Sequence, residues 1–221
     1  MSCHTIRNMR GFTLLEVVVA LAIGLMLLGT LYTFFLTQKK AYNVQEQVAE
    51  MQQNARAAMD MMVNELRMAG FDPFNTPSLG RIVTAASGQI RFTQNITRTN
   101  PPYDPDEDVD DPDEDVTYFL RTAADGTSEL VRTARSRTSV SSASGFQTVA
   151  VAENIESLTF TYLTEDGTPA AALDEISQIV ISLTARTDEP DPDYINPQQG
   201  DHYRRFTLSA TVIPRNLAMG D

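Results

Sequence analysis

Two hydrophobic periods divide this chain. From Phe12 to Phe35 apolar side chains follow one another with Glu16 as the only charge. As a helix the stretch would reach roughly 36 Å at about 1.5 Å per residue, enough to cross a hydrocarbon layer of about 30 Å. Beyond it Val44, Val48, Met51, Ala55, Met59, Met62, Leu66 and Ala69 recur at spacings of three and four, the single stripe of an amphipathic helix. Between Phe12 and Ala69 there is no proline and the only glycines are Gly24 and Gly29. The pattern therefore predicts one helix of about 87 Å, ended by Gly70 and Pro73. Gln45, Glu46, Glu50, Asn54, Asp60 and Glu65 fall off the stripe, which leaves the apolar side to pack against a sheet. Met51, Met59, Met61, Met62 and Met68 read as core filler rather than as an adaptable binding surface.

After residue 78 the period shortens. Gln89–Ile96, Val116–Arg121, Glu129–Thr133, Ile155–Leu163, Ile176–Thr184 and Arg205–Ile213 alternate or run in β-branched and aromatic residues, which predicts strands. Asp125-Gly126 reads as a hairpin turn between two of them, and Asp166-Gly167 closes another. An antiparallel sheet laid on the outer half of the helix follows, an α+β fold. Asn100–Asp115 and Asp188–Pro197 are acidic and rich in proline, and both are expected to be exposed loops.

Orientation comes from the flanking charges. Arg7 and Arg10 precede the apolar run and no acid lies ahead of Phe12, so the leader stays in the cytoplasm and the chain beyond about residue 36 lies outside. A secretory signal has a shorter apolar run, about 7 to 15 residues, followed by its small-residue cleavage site; here the small residue Gly11 comes first. The apolar helix is thus expected to be kept.

Charge and cysteine usage narrow the function. The 221 residues carry 17 basic and 29 acidic side chains, a net charge of −12. Nucleic-acid affinity draws on Lys and Arg displacing counterions, so direct nucleic-acid binding is not expected. Arg132, Arg135 and Arg137 form a local cluster that reads as a solvated loop. The one cysteine, Cys3, lies in the leader, leaving no disulfide for the remainder.

Gly11-Phe12-Thr13-Leu14-Leu15-Glu16, running into the apolar segment, resembles the signal of type IV pilins and type II secretion pseudopilins. The resemblance covers about the first 35 residues. It implies that a prepilin peptidase cuts between Gly11 and Phe12 and methylates the new amino group of Phe12. It also implies a pilin fold, and a role for Glu16 as the partner of a neighbouring subunit's amino terminus. An acid within the apolar layer costs about 2.5 to 3.5 kcal/mol unless paired, which agrees with such a role. The other reading is a simple anchor helix whose Glu16 snorkels to the interface. Major pilins carry a proline where this chain has Thr33, so a proline kink is not implied. Arg56, Glu65-Leu66-Arg67 and Ala69-Gly70-Phe71 resemble PilW-type minor pilins and the related GspJ pseudopilins, and Val151–Tyr162, Ile179–Arg186 and Phe206–Asn216 favour the PilW side.

On this reading residues 1–11 are the leader, 12–35 the transmembrane half of the helix, 36–70 its amphipathic half, and 71–221 an extracytoplasmic β-rich domain with an acidic loop at 100–115. The implied partners are the peptidase, other minor pilins, the major pilin, the inner-membrane assembly platform and, before assembly, membrane lipid. The implied function is initiation of pilus assembly and near-tip structure, supporting adhesion, twitching motility or DNA uptake. A GspJ-like pseudopilin of type II secretion is the alternative within this class.

Candidate chemistry is sparse. Asp104, Asp106, Asp108, Asp110 and Asp111 place oxygen ligands near every second residue, as a calcium loop does. An EF-hand counted from Asp104 would need glycine where Val109 stands and glutamate where Asp115 stands, so a solvated acidic loop is the preferred reading and a calcium-responsive module the alternative. The only histidines are His4, in the leader, and His202, a loop residue. With no nucleophile–base pairing or Gly-x-Ser-x-Gly motif, no catalysis is expected.

Overall fold

The structure, a computed structural model, describes residues 11–74, 81–96, 109, 111, 113–124, 126–135 and 145–217. It divides into two compact units, one up to Glu46 and one from Gln47 onward. One element belongs to both: helix α1, Leu14–Leu66, continuous over 53 residues.

In the first unit α1 is apolar and exposed from Leu14, at 83 %, to Leu36, at 46 %, with Glu16 its one charge over that stretch. Its hydroxyls are turned inward onto the helix backbone. Thr30 Oγ1 donates to the carbonyls of Met26 (3.1 Å) and Leu27 (2.8 Å), Thr33 Oγ1 to Thr30 (2.9 Å) and Thr37 Oγ1 to Thr33 (3.0 Å). Such back-bonding satisfies polar groups that lipid cannot. The helix runs unbroken through Thr33.

In the second unit α1 lies on two antiparallel sheets. Strands β1 (Ile82–Ala86), β2 (Gln89–Thr93), β3 (Asp115–Thr122), β4 (Ser128–Arg135) and β5 (Phe146–Ala152) form a five-stranded meander; β6 (Ile155–Leu163), β7 (Gln178–Arg186) and β8 (Arg205–Val212) form a second sheet of three. The single expected sheet is thus two, and β1 and β5 join the six expected strands. Tight turns account for the connections. Gly126 (φ 86°) bonds back to Ala123 between β3 and β4, and Gly167 (φ 77°) to Thr164 after β6. Asp125 lies outside the described residues.

The core is where the helical and strand periods meet. Met51, Ala55, Ala58, Met59, Met62 and Leu66 are buried on α1, against Ile90, Phe92, Val116, Tyr118 and Leu130 of one sheet and Leu158, Phe160, Ile179, Ile181 and Leu183 of the other. Met61 and Met68, read as core filler, are instead exposed. In the second sheet Leu158, Leu183 and Leu208 stand in register on the inner face. The outer face reads Ser157, Thr184, Thr207 in one row and Thr159, Ser182, Ser209 in the next. Strict alternation along three paired strands is what sorts leucines from hydroxyls.

Helix α1 stops a turn before the expected Ala69. The amides of Met68, Ala69 and Phe71 bond three residues back, and the Gly70 amide leaves the helix to donate to Thr93 O at 2.8 Å. Gly70 sits at φ 74°, and a Cβ there would meet Leu217 Cδ2 at 3.0 Å and the Arg81 side chain at 3.1 Å. Glycine is required both by the left-handed cap and by the close approach.

Two expected loops are more firmly held than their composition implies. Of the acidic stretch 100–115, Asp111, Glu114 and Asp115 are buried. Glu114 accepts from the amides of Ile96 (3.0 Å) and Asp111 (3.2 Å), and Asp115 takes a two-pronged contact from Arg91 at 2.9 and 2.6 Å. Burial of Glu114 and Asp115 is tolerable because both carboxylates meet donors. Asp104, Asp106, Asp108 and Asp110 lie outside the described residues. In the second loop Asp191 and Asn196 are buried, their amides bonded to His202 O (2.8 Å) and Asp201 O (2.7 Å), and Asp191 is paired with Arg204 at 2.9 Å. His202 itself is an exposed loop residue.

Candidate functional site

The N-terminal segment is built around Thr13. Gly11, Phe12 and Thr13 precede the helix and are exposed, Phe12 at 87 %, so the Gly11–Phe12 bond lies in non-helical, accessible backbone. Peptidases act on such backbone, which makes the bond open to cleavage. Thr13 and Glu16 then start α1 as a reciprocal cap. The Thr13 amide donates to Glu16 Oε2 at 2.8 Å, the Thr13 hydroxyl donates to the same oxygen at 2.9 Å, and the Glu16 amide donates to Thr13 Oγ1 at 3.3 Å. The spacing Thr-x-x-Glu is what such a box needs, and the negative charge lies in the first turn, where the helix dipole favours it.

This arrangement was legible in the sequence only as an acid in an apolar run. The structure gives that acid a local partner, Thr13, within the same chain. Around it, Leu14, Leu15, Val17, Val18 and Val19 expose 49 to 83 % of their surface, so the segment offers one carboxylate on an otherwise apolar rod. Exposed apolar surface of this extent is covered in use, by lipid or by other helices.

Among the described residues no group of three or more His, Cys, Asp or Glu side chains could hold a metal ion. The described carboxylates of the acidic stretch serve the fold instead. Asp113 at φ 67° pairs with Arg132 at 3.0 Å, and Arg132 also donates to both oxygens of Glu65 at 3.0 and 3.1 Å. Sequence reading set Arg132 in a solvated loop and Glu65 off the apolar stripe. Both are largely buried, at 13 and 21 % side-chain exposure, and Tyr118 adds a hydroxyl on Glu65 at 2.6 Å. Burial and the neighbouring Glu65 carboxylate push the Tyr118 hydroxyl well above its ordinary range, keeping it a donor. Burial is the largest influence on the Arg132 guanidinium and disfavours its charge, but the Glu65 hydrogen bond together with the attraction of Glu65, Tyr118 and Asp113 outweighs it. Arg135 closes β4, and Arg137 lies outside the described residues.

A second ionic knot ties β6 to β8. Glu156 is the extra residue of a bulge in β6, opposite the β7 strand, and Arg205 reaches it at 2.5 and 2.8 Å while holding Asp201 at 2.7 and 2.6 Å. The Arg205 hydrogen bond holds Asp201 down at about 2. Nothing in the sequence pattern marked the Glu156–Arg205 pair, since the two residues are 49 apart in the chain.

Residues 6–32 match the family model described as the prokaryotic N-terminal methylation motif. A search of curated proteins finds no match to the chain. The matched segment contains the Gly11–Phe12 bond, the Thr13–Glu16 cap and most of the apolar run. It implies processing by a prepilin peptidase and anchoring at the inner membrane before assembly, and it marks the chain as structural rather than catalytic. With a methylation motif at the head of a long helix and that helix packed on antiparallel sheets, the chain is a prepilin-like protein of the kind found in type IV pili and type II secretion.

Proposed function

We propose that this chain is a minor pilin of a type IV pilus, of the PilW type, that takes part in initiating pilus assembly and in near-tip structure. A prepilin peptidase cuts between Gly11 and Phe12 and methylates Phe12. Residues 1–11 are the leader, 12–35 the membrane half of the helix, 36–70 its amphipathic half and 71–221 the periplasmic domain. Other minor pilins and the major pilin then take the place of lipid around the helix.

The observation that carries this reading is the single carboxylate of Glu16 at the head of an exposed apolar helix. Its Oε2 already serves Thr13, and a carboxylate has lone pairs for more than one donor. Cleavage would create a charged amine one residue before Thr13, and the same amine on a neighbouring subunit is the cation an intramembrane acid calls for. Association of apolar helices with that ion pair setting the stagger is the mechanism, with no chemical step.

Glu16→Ala and Glu16→Leu are expected to leave cleavage intact and to remove the subunit from sheared, purified pili. Undiminished recovery of either variant in pili overturns the role of Glu16. A strain lacking the protein is expected to lose piliation and twitching while keeping protein secretion; loss of secretion alone would place the chain with the pseudopilins.

A further inference from the structure

All the lysines of this chain stand at one place. Of its 17 basic residues only Lys39 and Lys40 are lysines. They lie on α1 just beyond the apolar run, are exposed, and occupy a stretch, Val17 to Gln45, without a single Asp or Glu in a chain that has 29 acids. Tyr32 and Tyr42, exposed at 64 and 65 %, bracket them. Tyrosines at the ends of a span sit at headgroup level, and a lysine stem lies along apolar surface while its ammonium reaches the phosphates.

Leader removal changes the balance across the span. Before the cut, Arg7 and Arg10 stand on one side and Lys39 and Lys40 on the other; afterwards the lysine pair holds the only basic side chains before Arg56. We propose that Lys39 and Lys40 bind the phosphates of anionic phospholipids at the outer face of the membrane, and that cleavage makes this pair the main ionic hold of the helix on lipid. The proposal rests on the reading of Phe12–Phe35 as a membrane span cut at Gly11. Each lysine near an anionic surface favours binding by about fivefold. The pair thus opposes outward movement of the helix until partner subunits replace the lipid.

The test uses the full processed chain with Tyr42→Trp, which becomes its only tryptophan because the native chain has none. The chain is placed in phosphatidylcholine vesicles carrying a trace of either phosphatidylglycerol or phosphatidylcholine dansylated on an acyl chain. Energy transfer from the tryptophan is expected to be several-fold greater to phosphatidylglycerol, to fall in concentrated salt, and to become equal for the two lipids in the Lys39→Gln/Lys40→Gln variant. Equal transfer in the lysine-bearing chain overturns the proposal. Flotation with the vesicles is scored separately: a chain that floats yet shows equal transfer defeats the lysine site alone, and one that does not float defeats the span reading as well.

Discussion

Tyr118 donates its hydroxyl hydrogen to Glu65 across 2.6 Å, fastening the middle of the five-stranded sheet to the last turns of α1. Arg132 closes the same carboxylate from the neighbouring strand, so one helix residue serves two sheet residues. Glu65→Ala leaves a buried guanidinium and a buried hydroxyl without this partner and is expected to cost about 3 kcal/mol. Glu65→Gln, which still accepts from Tyr118, should cost less. Urea unfolding of the chain in detergent measures both; an alanine variant within about 0.5 kcal/mol of the parent would sink the account.

Gly70→Ala is expected to destabilise the domain by about 1 to 3 kcal/mol, because the left-handed φ of 74° and the contact at 3.0 Å with Leu217 both penalise a Cβ. Gly88→Ala is the control, since a Cβ there has nothing within 4 Å. Equal melting temperatures for the two variants would contradict the structure of the helix end.

Asp201 gives the chain an acid-sensitive loop. Its carboxyl lies at about 2 when folded, against an ordinary value of 3.8, so the contact with Arg205 contributes fully above about pH 4 and is lost as the pH falls toward 2. Hydrogen exchange of residues 188–202 is expected to quicken over that interval. Asp201→Asn should exchange fast already at pH 4 and show a smaller step; an unchanged step in the variant would assign the effect to another group.

Thr13→Ala removes the hydroxyl that caps α1 and is expected to cost about 1 kcal/mol locally. The readout is amide exchange at Leu14 to Val17 in micelles, faster in the variant by roughly fivefold, with exchange at Met59 to Leu66 unaltered. If the first turn exchanges at the parental rate, Glu16 starts the helix without Thr13.

What could be read from the sequence follows from where the periods are clean. Val48 to Leu66 and Gln178 to Arg186 bury side chains at the intervals their patterns predict, because each presents one face to a core. Strand β5 escaped notice because Phe146 to Ala150 are exposed, so no alternation marks them. Arg132 and Asp191 were misplaced because composition alone makes charged residues look solvated, whereas their burial depends on Glu65, Asp113 and Arg204, partners set by the tertiary fold. At the N-terminal segment the sequence marked Glu16 only as an acid in an apolar run; its bonds to Thr13, three residues earlier, belong to the geometry of the helix start.

The outer face of the β6–β7–β8 sheet, with rows Ser157–Thr184–Thr207 and Thr159–Ser182–Ser209, has a further consequence for a molecule of net charge −12. Hydroxyls carry no counterion atmosphere, so a neighbour that settles there exchanges water for hydrogen bonds and displaces no ions. Contacts through this face hold alike in dilute and concentrated salt, whereas any made through the acidic loops weaken or strengthen with ionic strength.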